Sequence, residues 1–320
     1  MTRTFAAEIV FDRVTKRYAG RDAAAVNELS LTIPAGEICV LVGPSGPGKT
    51  TAMKLVNRLI ELDEGDITID GTSIRDHDVT ELRRGIGYVI QQVGLFPHMT
   101  IAENVATVPR LLGWPRARIR ERTAELLELV GLDAGDGVRY PSQLSGGQRQ
   151  RVGLARALAA DPPLMLMDEP FGALDPITRD RLQAEFLRMH EDVRKTVIFV
   201  THDIDEAIKL GDRIAILREG GVLAQYDTPD RILAHPADDF VARFVGADRG
   251  LKRLALRRLS ELELEPATAS GPSLPASTTL RDALSVMMAE GADPLVVTDD
   301  DGQPIGQISV ARVGRLLTEL

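Results

Sequence analysis

The chain is short of several things that membrane, secreted and nucleic-acid-binding proteins need. Its 320 residues contain one cysteine, Cys39, so no disulfide can close within it, and a reducing cytosol is expected. That cysteine sits in the apolar run Ile38-Cys39-Val40-Leu41-Val42 and reads as a small buried side chain. No stretch approaches the roughly 18–20 consecutive apolar residues that span a bilayer. Met1-Thr2-Arg3-Thr4-Phe5 has neither the apolar segment nor the cleavage site of a signal peptide. The expectation is a soluble chain that would reach a membrane only by docking to another subunit. Positive charge is also scarce: 38 Lys and Arg against 47 Asp and Glu give a net charge of −9. That balance disfavours a nucleic-acid partner, because phosphate contacts need clustered Lys and Arg.

What is present suits one large domain plus a small one, and an apolar content of 44% can fill a sizeable core. Residues 8–42 read mostly as strands. Leu29, Leu31 and Ile33 alternate with Ser30 and Thr32, the period of a half-buried strand. The all-apolar run 38–42 predicts a strand buried on both faces, as in a parallel α/β sheet. Thr50 to Ile60 reads as a helix, and Ile67 and Ile69 as a short hairpin strand. Residues 92–150 change character: Ile119, Leu126, Leu127 and Val130 recur at helical spacing behind Pro115, so this region reads as a helical insertion. The α/β pattern then returns with strands at 164–167, 197–200 and 214–217 and a helix at 177–190. Pro266-Ala267-Thr268-Ala269-Ser270-Gly271-Pro272 reads as a linker. Beyond it, Leu280, Ala283, Leu284, Met287 and Met288 form an amphipathic helix that Gly291 can cap. Leu295-Val296-Val297 and Ile305–Ile308 flank a turn at Asp299–Gly302.

Gly43-Pro44-Ser45-Gly46-Pro47-Gly48-Lys49-Thr50 lies between the strand 38–42 and a helix, the context of a phosphate-binding loop. Alone it says only that a nucleoside triphosphate binds. Leu144-Ser145-Gly146-Gly147-Gln148 follows later, just before Leu164-Met165-Leu166-Met167-Asp168-Glu169. In this order the three segments resemble the nucleotide-binding subunit of ATP-binding-cassette (ABC) transporters, over about residues 8–245. The resemblance implies an α/β P-loop NTPase fold: a RecA-like core, an antiparallel β subdomain and a helical insertion, followed by a small C-terminal α+β unit. It divides the chain into an ATPase domain at 1–245 with its helical part at 92–150, a connecting segment at 246–276 and a last unit at 277–320.

The same resemblance assigns roles, with ATP and Mg²⁺ as cofactors. Gly43, Pro44, Ser45, Gly46 and Gly48 form the phosphate loop, whose backbone N–H groups bind phosphate oxygens, and Lys49, Thr50 and Thr51 open the helix behind it. Lys49 supplies a cation for the terminal phosphates. Thr50, Asp168 and Gln91 face the Mg²⁺ ion. Glu169 orients or deprotonates the attacking water. His202 contacts the terminal phosphate, and Tyr18 stacks on adenine. Ser145, Gly146, Gly147 and Gln148 face ATP held by the other subunit, and Asp175 lies in the loop that crosses that interface. The implied assembly is a head-to-tail homodimer with two ATPs sandwiched between subunits, whose closure is the power stroke. One departure stands out. Pro47 replaces the family's usual Ser, Cys or Ala, and a proline has no N–H to offer a phosphate.

Lys54–Glu61, Ile90–His98, Asp205–Asp212 and Phe244–Leu254 resemble the importers of glycine betaine, carnitine, choline and proline betaine. That implies membrane permease partners, an external solute-binding protein acting indirectly, and a peripheral place on the cytoplasmic face. Residues 277–320 resemble a single cystathionine-β-synthase (CBS) repeat, which needs a second copy to complete its sheet. Arg312 stands where that repeat's ribose-binding Asp would follow Ser309. Three other readings stay open: an ABC importer ATPase for another solute, a non-transport ABC protein of translation or DNA repair, and a nucleotide-responsive binding module weakened by Pro47.

Overall fold

A computed structural model of the chain describes residues 6–20, 23–46, 48–90, 94–172, 174–267 and 271–319. Two compact units divide the chain, Met1–Tyr226 and Asp227–Leu320.

The first unit opens with β1 (Ile9–Lys16) and β2 (Val26–Ile33), an antiparallel pair in which Ile9, Phe11, Val14, Leu29, Leu31 and Ile33 turn inward. β3 (Ile38–Val42) is buried at every residue, as its apolar run predicts. It feeds the phosphate loop and α1 (Gly48–Val56). The helix is shorter than the predicted 50–60. Asn57 accepts from the Leu59 amide through its side chain at 3.1 Å, and Arg58 takes a left-handed φ of 51°. Together these turn the chain out of the helix.

β4 (Glu64–Ile69) pairs with β1 and with β5 (Thr72–Ser73), completing a four-stranded antiparallel sheet ordered β2-β1-β4-β5. α2 (Val79–Arg84), capped by Asp78, leads to β6 (Ile86–Val89). The helical insertion follows as predicted. It holds α3 (Ile101–Val105) with a Thr100–Glu103 capping box, α4 (Thr107–Leu111), α5 (Arg116–Leu129) and α6 (Gly146–Leu158). α6 runs eight residues past the predicted limit of 150, because Val152, Ala155 and Leu158 continue its buried stripe. Ile119, Leu126, Leu127 and Val130 are all buried.

β7 (Leu164–Asp168), α7 (Pro176–Val193), β8 (Thr196–Val200), α8 (Ile204–Leu210), β9 (Arg213–Leu217) and β10 (Leu223–Asp227) complete the core. The six-stranded sheet is ordered β10-β9-β3-β8-β7-β6, with β6, β7, β8, β3 and β9 parallel. One apolar cluster joins both sheets to α1. Each of its fully buried Leu, Ile or Val side chains contributes about 1.5–3 kcal/mol. The topology carries the functional consequence. The chain leaves β3, β7 and β8 at the same edge of the sheet, and ligands of open parallel sheets bind beyond that edge.

The second unit contains α9 (Pro229–Ala234), α10 (Asp239–Val245) and α11 (Arg249–Leu256). β11 (Ser273–Pro275), α12 (Leu280–Glu290), β12 (Leu295–Thr298), β13 (Pro304–Ile308) and α13 (Val310–Glu319) follow. β11 pairs parallel to β12, which pairs antiparallel to β13. Here the structure departs from the sequence reading. The boundary falls at 226/227, and 246–276 is only partly a linker. Leu254 and Leu259 join the same core as Leu280, Met287, Leu295 and Ile308, and β11 adds a strand to the sheet. α12 is capped by Thr279 and by left-handed Gly291, as expected. Met288, assigned to its apolar face, is instead 74% exposed, and the buried stripe is Leu280, Ala283 and Met287. No helix among the described residues is long and apolar enough to cross a membrane.

Candidate functional site

The phosphate loop is shaped by positions where only glycine fits. Gly43 has a φ of +156°, and a Cβ there would lie 2.1 Å from the Leu217 carbonyl oxygen. A Cβ on Gly48 would meet the Ala25 carbonyl at 2.8 Å. Gly46 by contrast faces open space, so the loop's outer side is free to meet a ligand. Beside it lies a cavity of about 320 Å³ whose walls include Ala24, Ser45, Gly46, Lys49 and Gly221.

Lys49 is 5% exposed and donates from Nζ to the carbonyls of Gly43 (3.0 Å) and Pro44 (2.7 Å). Burial pulls its pKa below the ordinary lysine value, opposed by the nearby Glu169 and Asp168 carboxylates. Thr50 donates its hydroxyl to Asp168 Oδ1 at 2.9 Å. Burial pushes the Asp168 carboxyl above its usual range, while the Thr50 bond opposes that shift. Thr51 is buried and lies 3.3 Å, Oγ1 to Oη, from Tyr18, which stands two residues beyond β1.

Glu169 follows Asp168 at the end of β7 with a φ of 44°, and its amide donates to the Val200 carbonyl at 2.9 Å. A non-glycine residue held there costs on the order of 1–3 kcal/mol, a strain common at reactive sites. Its Oε1 lies 3.2 Å from Nδ1 of His202, which β8 delivers through the buried Thr201. Lys49, Thr50, Asp168, Glu169 and His202 are thus gathered around one end of the sheet, although they come from three separate segments.

Ser145 and Gln148 stand apart from that group. Ser145 caps α6 by accepting from the Gln148 amide (3.2 Å), and Gln148 Oε1 accepts in return from the Ser145 amide (3.0 Å). Gly147 packs on Thr178 and Leu182 of α7, and Gly146 is open except for Arg149. Asp175 caps α7 by accepting from the Thr178 amide at 3.0 Å. Gln91 and Pro47 lie outside the described residues.

Sequence reading missed part of the site. Ala23–Ala25 and Leu217–Gly221 wall the cavity. Gly221 has a φ of +66° and would place a Cβ 2.1 Å from the Ala25 carbonyl. The Gly220-Gly221 pair follows β9 in the sequence, and nothing in it points to a ligand wall.

The residues fit the groups they would hold. The Lys49 ammonium already rests on oxygen acceptors inside the loop. Thr50 and Asp168 offer hard oxygen donors. No cluster of three metal-ligating side chains occurs among the described residues. Mg²⁺ fits such a sparse site, because it takes one or two protein oxygens and fills its shell with phosphate and water.

A phosphate loop after β3, an acidic pair after β7 and a histidine after β8 define a P-loop ATPase core. The comparisons narrow this. A family model described as ABC transporter matches residues 26–172. The osmoprotectant import ATP-binding protein OsmV of Salmonella typhimurium is 50% identical over 303 residues, 93% of this chain and 78% of that protein. The choline transport ATP-binding protein OpuBA of Bacillus subtilis is 50% identical over 305 residues, 94% of this chain and 78% of that protein. The glycine betaine uptake system ATP-binding protein YehX of Escherichia coli is 48% identical over 301 residues, 94% and 97% of the two chains. Among solved structures, a post-hydrolysis dimer of the ATP-binding cassette MJ0796 bound to ADP and Pi is 36% identical with a TM-score of 0.61. That match covers 69% of this chain and 98% of the other. The chain belongs to the ATP-binding proteins of ABC transporters and is an ATPase of that family.

Proposed function

We propose that the chain powers import of quaternary-amine osmoprotectants of the glycine betaine, choline and carnitine class. The observation that carries this reading is identity of 48–50% to relatives named for osmoprotectant import, choline transport, glycine betaine/carnitine/choline transport and glycine betaine uptake, extending over at least 93% of this chain. The match therefore includes the second unit as well as the ATPase core.

In this reading the Lys49 ammonium leaves the Gly43 and Pro44 carbonyls and turns to the terminal phosphates. The backbone amides of Gly46 and Gly48 turn to the same anion. Tyr18 packs beside the adenine, and Thr51 fixes Tyr18. Thr50, Asp168 and Gln91 would hold Mg²⁺, which would neutralise phosphate charge. Glu169 accepts the proton of the attacking water, and His202 orients Glu169 and meets the terminal phosphate. The pre-capped helix start at Ser145–Gln148 offers the Gly146 and Gly147 amides outward to ATP on a second copy, which makes the working unit a homodimer. The MJ0796 dimer is support for that arrangement.

Membrane permease subunits receive the stroke through the helical insertion, and an external solute-binding protein delivers the solute to them. The chain's place is then peripheral, on the cytoplasmic face. Residues 277–320 act as a CBS-like pairing module. Ser309 already caps α13, accepting from the Arg312 amide at 3.2 Å, which leaves the hydroxyl engaged and supports pairing over ribose binding. The test is uptake of labelled glycine betaine and choline at high osmolarity in cells lacking this gene. Restoration by the native chain but not by Glu169→Gln is expected; restoration by both, or uptake unaffected by the deletion, would refute the reading.

A further inference from the structure

α7 and α8 dock on each other through polar contacts. Arg179 Nη1 lies 4.0 Å from Asp203 Oδ2. One turn further along, Gln183 Nε2 donates to Glu206 Oε1 at 2.9 Å, with both side chains buried. Lys209 pairs with Asp180 at 2.7 Å on the outside. Arg179 has a second engagement: its Nη2 donates to the Leu174 carbonyl at 3.2 Å. Leu174 directly precedes Asp175. The Arg179 guanidinium therefore ties the segment entering α7 to the turn after β8.

At the other end of this link, Asp203 is committed twice. Its Oδ1 caps α8 by accepting from the Asp205 and Glu206 amides, while its Oδ2 faces Arg179. Asp203 directly follows His202. Glu169, His202, Arg179, Asp203 and Glu206 all border one small polar cavity of about 30 Å³. Movement of the Leu174 backbone would carry the Arg179 guanidinium with it and so change the charge that faces Asp203, the neighbour of His202, whose imidazole lies 3.2 Å from Glu169. Only a planar fork reaches both ends; a lysine would be a point charge able to hold one.

We propose that Arg179 is a positioning residue for hydrolysis. It transmits the placement of the Leu174-Asp175 segment, which meets the second copy in the dimer, to His202. This inference rests on the roles proposed above for Glu169 and His202.

The test measures steady-state ATPase rate, ATP binding and melting temperature on the full chain for Arg179→Met, Arg179→Lys, Asp203→Asn and the Arg179→Met/Asp203→Asn double variant. Arg179→Met should lower kcat by about 10- to 100-fold, the scale of an ångström-level misplacement, while ATP affinity stays native. Asp203→Asn keeps a good helix cap yet should also lower kcat. The double variant should be no slower than Arg179→Met alone, since both break one link. Arg179→Lys keeps the charge but holds only one end, so its kcat should stay close to that of Arg179→Met. Native kcat in Arg179→Met, or effects of the two substitutions that multiply, would overturn the proposal. If Arg179→Met does not fold, Asp203→Asn and Arg179→Lys decide the outcome by the same kcat readout. Glu169→Gln is run in parallel: native turnover there would sink the hydrolytic reading itself, not this inference alone.

Discussion

Replacing Lys49 by Met separates what the loop needs for folding from what it needs for nucleotide. In the structure the ammonium is nearly buried and donates to two carbonyls, at 3.0 and 2.7 Å. Two charge-assisted bonds are worth about 1.5–3 kcal/mol each. Against them stands the desolvation of the cation, several kcal/mol for a buried ion in its own right. Burial depresses the Lys49 pKa, the sign expected when desolvation outweighs the partners. The unbranched Met side chain refills most of the volume. The opposing effects leave a net change within about 2 kcal/mol, which in a unit of this size moves the melting temperature by no more than about 8 °C.

ATP has no such compensation. Losing one charge-assisted contact to phosphate costs about 1.5–3 kcal/mol, a weakening of roughly 10- to 150-fold. Thermal melts without nucleotide and calorimetric titration with Mg-ATP measure the two quantities on the same protein. A variant that melts like the native chain and binds ATP much more weakly is expected. Native ATP affinity would refute the placement of Lys49 at the phosphates, and collapse of the nucleotide-free fold would refute the balance of opposing effects.

Other outcomes follow from the same geometry. Gly221→Ala must place a Cβ 2.1 Å from the Ala25 carbonyl at a φ of +66°. It should cost at least about 1–2 kcal/mol of stability from the left-handed backbone alone and weaken ATP binding, both measurable by melting and titration. Burial raises the Asp168 carboxyl above its value of 3.8 in an unfolded chain. The folded chain therefore holds that proton to higher pH, and stability without nucleotide falls as pH rises from 3.8 through the folded value, then levels off. Asp168→Asn should flatten this segment of the stability–pH curve by denaturant melts, and an unchanged slope would contradict the cause given. Ser145→Ala removes the cap of α6 and should cost about 1 kcal/mol, with a larger loss in ATP-dependent dimerisation by light scattering. Truncation after residue 265 strips Leu254 and Leu259 of their partners in α12 and β12. That chain should aggregate more than one ending at 226, by the same scattering measurement.

Much of the fold was legible because burial leaves plain marks. The runs 38–42 and 197–200 are apolar because both sheet faces are covered. Lys49, Thr50, Asp168, Glu169 and His202 were singled out from motif order, and the structure places them together at one end of the sheet. What was not legible depends on long-range geometry. The end of α1 at Val56 is set by a side-chain bond from Asn57, weaker in the sequence than the apolar Leu59-Ile60 that follow it. β11 carries a proline and only three residues, so its strand nature comes from pairing with β12. Met288 fell one position off the buried stripe because α12 packs on a narrow face. Gly221 and Arg179 matter through neighbours distant in sequence, Ala25 and Asp203, and no local pattern announces such contacts.

The most direct test of the central claim is the oligomeric state and turnover of Glu169→Gln with ATP and Mg²⁺. Glu169 is held in strained backbone beside Asp168 and 3.2 Å from His202. Keeping its shape while removing its basicity should stop hydrolysis but spare binding. The account predicts a stable dimer retaining one ATP per chain, with turnover near zero. A monomer that still binds ATP, or hydrolysis at the native rate, would contradict it.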